Sequence, residues 1–196
     1  MIKVIERENR LPVIKTDRLM LRDITLEDIS DEYLVWINLP SVTKYLEIRF
    51  NEQTRENVVD FLQSKLKDIK NTQHFGIYDQ GGKRLVGNVT LNKINWKHKY
   101  SDISYIIGHE DVVGYGYATE AVKAMVEYAF DYLGLMKIYA GYYDGHIGSA
   151  RVLQKSGFAQ EARLRKHLIN YCGERVDKIM VGMTKEDYDN KKIGFN

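Results

Sequence analysis

Ser101-Asp102-Ile103-Ser104-Tyr105-Ile106-Ile107-Gly108, followed by Val112-Val113-Gly114-Tyr115-Gly116-Tyr117-Ala118-Thr119, decides the fold. The first stretch reads as a strand. Beyond the second, Ala121, Val122, Met125, Val126 and Ala129 recur at helical spacing, which predicts a helix from Ala118 to Leu133. Two glycines stand between strand and helix. Glycine lets the backbone approach an anion closely. The first helical turn leaves N–H groups unpaired and carries a partial positive charge facing the loop. A loop of this kind can cradle a pyrophosphate without a lysine.

A dinucleotide site would want a third glycine where Thr119 stands, and a buried parallel strand feeding the loop. Asp144 closes the next strand, as a ribose-binding acid would, but too little chain follows for a doubly wound sheet. The lysine–serine pair of a nucleotide-triphosphate loop is also absent.

Working outward, Arg18 to Ile24 reads as a strand, and Thr25-Leu26-Glu27-Asp28 as a capping box opening a helix to about Ile37. Pro40 breaks the pattern, and a second helix is expected over residues 54–69. Residues 74–78 and 85–94 form a hairpin around Gln80-Gly81-Gly82-Lys83, and a turn at Trp96-Lys97-His98-Lys99 leads into residues 101–108. After the loop and its helix come a strand over 135–143 and a helix over 147–156. A hairpin of 158–169 with 175–184 closes the order around Asn170-Tyr171-Cys172-Gly173. This is an α+β chain of about seven strands and four helices, with antiparallel hairpins and one β-α-β crossover.

The 196 residues fit one domain, 1–196, and a 44% hydrophobic content supports a sizeable core. Twenty-nine basic and 27 acidic residues leave a charge of +2, against nucleic-acid binding through bulk charge. A single cysteine, Cys172, excludes an internal disulfide and suits a reducing cytosol. The N-terminal MIKVIERENRLPVIK has no apolar signal core, and no apolar run approaches a membrane span. A cytoplasmic protein with no membrane, nucleic-acid or metal partner is expected. For most of the 14 tyrosines the default reading is strand packing.

The pair G-x-G-x-A-T-E-A, from Gly114, and S-x-x-x-L-x-K-x-G-F, from Ser149 to Phe158, resembles the GNAT acyltransferases. The likeness runs from about Leu19 to Met183 and includes Trp36-Ile37-Asn38-Leu39-Pro40 and Arg163-Leu164-Arg165. It is nearest the branch of ribosomal-protein N-acetyltransferases and amino-sugar acetyltransferases. The resemblance implies a mixed sheet splayed beside the glycine loop, with acetyl-CoA as co-substrate. The pantetheine would pair with Ile106, Ile107 and Gly108, whose open strand edge offers N–H and C=O groups. The pyrophosphate would lie on Val113, Gly114, Tyr115, Gly116, Tyr117, Ala118 and Thr119. Contacts from the next helix would come from His146, Ser149, Val152, Leu153 and Lys155. Three positions depart from the family: Asp111 where Gln or Arg is common, His146 where Asn is common, and Leu153 where many members carry an acidic tyrosine.

Acetyl transfer needs an amine that loses a proton, donors for the thioester oxygen, and a proton for the departing thiolate. With Leu153 in place of tyrosine, Ser149 is the remaining hydroxyl for that last role; it is equally a helix cap. Glu161, His109, His98 and His167 are the side chains weighed as base, with Glu161 carried forward. Trp36, Tyr45 and Trp96 would wall the acceptor site, with His98 and its lysine-rich turn suited to a nucleotide phosphate. The acceptor expected is a primary amine on a nucleotide-linked amino sugar or a protein N-terminus, and a homodimer is allowed. A non-catalytic acyl-CoA-binding or regulatory module is the other class open at this stage.

Overall fold

The computed structural model describes residues 1–79 and 82–193; Gln80 and Gly81 of the predicted turn lie outside them. Nine strands form one sheet: β1 (Lys3–Ile5), β2 (Val13–Lys15), β3 (Met20–Asp23), β4 (Gln73–Tyr78), β5 (Leu85–Asn95), β6 (Tyr100–Ile107), β7 (Lys137–Tyr143), β8 (Ala159–Ile169) and β9 (Arg175–Thr184). Their order is β1-β2-β3-β4-β5-β6-β7-β9-β8. Every neighbouring pair is antiparallel except β6 and β7. The helices are α1 (Asp31–Asn38), α2 (Pro40–Thr43), α3 (Arg55–Lys67), α4 (Tyr117–Glu127), α5 (Ile147–Lys155) and α6 (Lys185–Ile193).

Two features at the N-terminal end depart from expectation. Thr25 and Asp28 do meet, the Asp28 carboxylate accepting from Thr25 N at 2.7 Å and Thr25 Oγ1 at 2.8 Å. They close only a 3₁₀ turn, however, and both Asp28 oxygens are also held by Arg22 at 2.9 Å. The helix begins at Asp31, where Ser30 Oγ accepts from Tyr33 N. Pro40 does not merely break a helix: it occupies the first turn of α2, where its missing N–H is no loss.

The packing follows the apolar stripes. Ala121, Val122, Met125, Val126 and Ala129 are all fully buried against one face of the sheet, as their spacing requires. Emptying a position of this kind costs about 2–5 kcal/mol. On the other face, α1 and α3 enclose a second cluster built on Tyr33, Trp36, Ile37, Val58 and Leu62. The helix after the loop ends in a π-turn over Tyr128–Tyr132, where Leu133 N donates to Tyr128 O.

The last hairpin does not extend the sheet in chain order. β9 pairs with β7 from Lys137–Thr184 to Tyr143–Lys178, and β8 is left as the outer edge. The parallel pairing of β6 with β7 is short, covering Tyr100–Lys137, Ser101–Ile138 and Asp102–Tyr139. Beyond Asp102 each strand follows its other neighbour, β6 staying with β5 as far as Ile107 and β7 with β9 as far as Tyr143. The sheet therefore opens into a V at its centre.

Candidate active site

The V leaves the edge of β6 beyond Asp102 with no paired strand. The loop above it is shaped by two left-handed residues, Gly114 at φ +90° and Gly116 at φ +85°. Gly116 caps α4 and has no side chain to offer, so no side-chain oxygen occupies the first N–H groups of the helix. Arg18, just ahead of β3, holds the loop in place. It donates to Tyr115 O at 2.8 Å and to Glu120 at 2.6 Å. Its guanidinium also lies 4.9 Å from the centre of the Tyr117 ring. Glu120, in the first turn of α4, also accepts from Thr16 Oγ1 and Arg18 N.

A cavity of about 750 Å³ follows the V from β6 to this loop. Ile106, Ile107, Gly108, Val113, Gly114, Gly116, Tyr117, Ala118, Thr119, His146, Ser149, Val152 and Lys155 line it. Two of the residues named from sequence do not. Leu153 is buried in the core, and the exposed Tyr115 contributes its carbonyl to Arg18 instead of facing the cavity. Asp111 also lies outside the cavity, its carboxylate gripped by Arg84 at 2.7 Å, and this pairing holds its pKa below the usual range.

A second cavity of about 400 Å³ lies on the α1–α3 side of the sheet. The two share Leu46, Tyr105 and Ile106 in their linings, so they lie side by side at that point. There the Tyr105 hydroxyl spans the V to α5, 2.9 Å from Ser149 Oγ and 3.3 Å from Ser149 O. Burial pushes the Tyr105 phenol up to about 12, so it keeps its proton at neutral pH. Ser149 does not cap its helix: His146 holds the N-cap position, and no side-chain bond closes it. The His146 ring stacks on Tyr45 at 4.2 Å, and burial lowers its pKa to about 4, with Lys44 adding to the effect.

The acceptor-side expectations divide. Tyr45 lines the second cavity. Trp36 does not: it packs against Gly108 inside the α1–α3 cluster and is 3% exposed. Trp96 donates from Nε1 to Lys70 O, and His98 stacks beside Tyr100 in the same exposed turn; neither lines either of these two cavities. Glu161 is also misplaced by the sequence reading. It stands at a bulge of β8, paired with Lys137 and laid over Gly182, because β9 intervenes between β8 and the V. The carboxylate that does line the second cavity, among the described residues, is Glu47, which accepts from Tyr143 OH at 2.5 Å. Both Tyr105 and Glu47 escaped the sequence reading. Tyr105 was one tyrosine among 14, and Glu47 lies in a 3₁₀ turn without a motif.

The sequence profile of the "Acetyltransferase (GNAT) domain" family matches residues 18–159. The chain belongs to the GNAT acetyltransferase family. The uncharacterized N-acetyltransferase YoaA of Bacillus subtilis is 31% identical over 159 residues, spanning 80% of this chain and 88% of that protein. A GNAT-family acetyltransferase of Bacillus anthracis superposes with a TM-score of 0.76 at 24% identity, covering 89% of this chain and 99% of the other. The spermidine N-acetyltransferase of Vibrio cholerae, solved with CoA and spermine, gives 0.76 at 21% identity over 88% and 99%. At those identities the two structures speak for the fold alone. The V, the glycine loop and the serine-bearing α5 of this GNAT chain all fall within the matched residues. Among the described residues of this GNAT enzyme, no group of three His, Cys, Asp or Glu side chains could hold a metal. No described helix is long and apolar enough to cross a membrane.

Proposed function

We propose that this enzyme transfers an acetyl group from acetyl-CoA directly to a primary amine, with the coenzyme in the larger cavity and the acceptor in the smaller. The observation that carries this reading is the shared boundary at Leu46, Tyr105 and Ile106, beside the Ser149 hydroxyl. A coenzyme pyrophosphate fits the uncapped N–H groups of α4, where the helix dipole favours negative charge. The open edge of β6 offers peptide groups to the pantetheine amides. Both cavities fall in the size range of small-molecule sites.

The amine nitrogen attacks the thioester carbonyl, the C–N bond forms and the C–S bond breaks. Ser149 gives its proton to the departing thiolate and regains one from Tyr105, which is refilled from solvent. The ammonium of the incoming acceptor loses one proton towards Glu47, the acid bordering its cavity, and the nitrogen releases its second proton to solvent as the amide forms. Direct transfer needs no acyl-enzyme, and Cys172, exposed in the β8–β9 turn, has no part in it. The acceptor amine belongs to a small molecule, such as a nucleotide-linked amino sugar, or to a chain terminus that enters this cavity.

Acetyl-CoA turnover with a panel of sugar, peptide and small amines, followed by release of the free thiol, tests the reading. Amine-dependent thiol release with an N-acetylated product is the expected result. Tight acetyl-CoA binding without turnover across the panel would leave the protein a coenzyme-binding module.

A further inference from the structure

The charges facing the smaller cavity point to a particular kind of acceptor. Lys65 of α3 and Lys178 of β9 line it, and both are half-buried. Neither has a carboxylate within ion-pairing distance among the described residues, and Lys65 Nζ lies 4.9 Å from the centre of the Phe61 ring, which also borders the cavity. The acids around Lys178 form no ion pair with it. Asp177 accepts from Arg163 and from Lys166 N, and Asp144 is taken by Arg163. Asp102 feels the charge of Lys178 but forms no ion pair with it.

Lys178 is also aimed. It stands opposite Tyr143 in the β7–β9 register, and its side chain runs along the sheet over Gly141. A Cβ on Gly141 would overlap Lys178 Cε and come 3.3 Å from Nζ. The missing side chain is what lets the ammonium lie across β7 beside the V. Partly buried ammonium groups with no ion pair leave donors free for an anionic group that enters the cavity. Glu47 is the single carboxylate among the described lining residues, and it accepts from the Tyr143 hydroxyl, which in turn accepts from Arg49.

We propose that the acceptor is an amine that also carries an oxyanion, a phosphate or a carboxylate, which Lys178 and Lys65 hold while the amine end faces Glu47 and the V. This rests on the acceptor-site reading above and narrows it. A polyamine, cationic along its length, would meet two further cations, Lys65 and Lys178, in the same cavity.

Matched pairs test it: O-phosphoethanolamine against ethanolamine, and β-alanine against β-alaninamide, with spermidine as the cationic arm. The wild-type enzyme should favour the anionic member of a pair at least tenfold in kcat/KM, and the better of the two pairs tells phosphate from carboxylate. Lys178→Met should reduce that preference at least tenfold, Lys178→Arg should restore most of it, and acetyl-CoA affinity should stay unchanged in both. Calorimetry of the anionic amines with the CoA-loaded protein reads the same site without turnover. Binding that is lost in Lys178→Met, in a protein that acetylates nothing, upholds the oxyanion site and ends the transferase reading. Equal or better use of neutral amines or spermidine, a preference retained by Lys178→Met, or no binding of either anionic amine overturns the inference.

Discussion

The Tyr105 phenol and the Ser149 hydroxyl meet 2.9 Å apart across the opening between β6 and β7, joining the two halves of the split sheet at the point where both cavities touch. The pair ties a strand to the helix that follows the crossover, so the two hydroxyls act as one unit. Ser149→Ala should lower kcat about 10²-fold, the lower end of general-acid assistance, while acetyl-CoA affinity changes little. Tyr105→Phe should lower kcat by a smaller factor, and the double variant should be no worse than Ser149→Ala, because coupled groups are not additive. Steady-state kinetics with calorimetry of acetyl-CoA decides it. A normal kcat in Ser149→Ala would leave solvent as the proton source.

Gly116 matters through its backbone. A Cβ there meets nothing closer than Arg18 Nη2 at 3.5 Å, so room is available; the φ of +85° is what a branched residue cannot adopt cheaply. Gly116→Val should weaken acetyl-CoA binding at least tenfold, about 1.4 kcal/mol. Gly116→Asn, which tolerates the left-handed region, should lose much less. Equal losses in calorimetry would mean that side-chain bulk against the phosphates is the cause.

Asp111 brings negative charge close to the loop, yet Arg84 already neutralises it at 2.7 Å outside the cavity. Asp111→Gln should therefore leave acetyl-CoA affinity equal or slightly raised, most visibly at low salt. A large loss of affinity would show that the Arg84–Asp111 pair sets the shape of the loop.

His74 is buried on β4, with Nδ1 2.7 Å from Thr90 Oγ1 and Phe61 edge-on to its ring. Desolvation, with help from Lys65, lowers its pKa from 6.5 to about 4. The unfolded chain then binds the extra proton first. The stability that neutral His74 provides is complete above pH 6.5, is lost as pH falls, and is gone below about pH 4. The loss amounts to about 3 kcal/mol for one fully buried histidine. Melting temperatures of the wild type should fall more steeply over that window than those of His74→Gln. Parallel curves would place the acid sensitivity elsewhere, with His146 the next group to replace.

Local signals in the chain were enough for the glycine loop, the amphipathic α4, the serine on α5 and the alternation of strands, since each depends on residues within a few positions of one another. Helical spacing buried Ala121, Val122 and Met125 on one face, and the Gly114 and Gly116 pair shaped a strand-to-helix turn. Short elements were not legible: β1 and β2 have three residues each, too few for a pattern, and the Thr25–Asp28 box closed only a 3₁₀ turn, with α1 starting behind its own cap at Ser30. Tertiary structure alone decided which residues meet at the centre. The insertion of β9 between β7 and β8 carried Glu161 to the sheet edge and brought Lys178 beside Gly141. The early end of β6–β7 pairing at Asp102 set Tyr105 opposite Ser149, 44 positions away. Strand order and the length of a pairing depend on contacts between distant segments, and no local spacing encodes those.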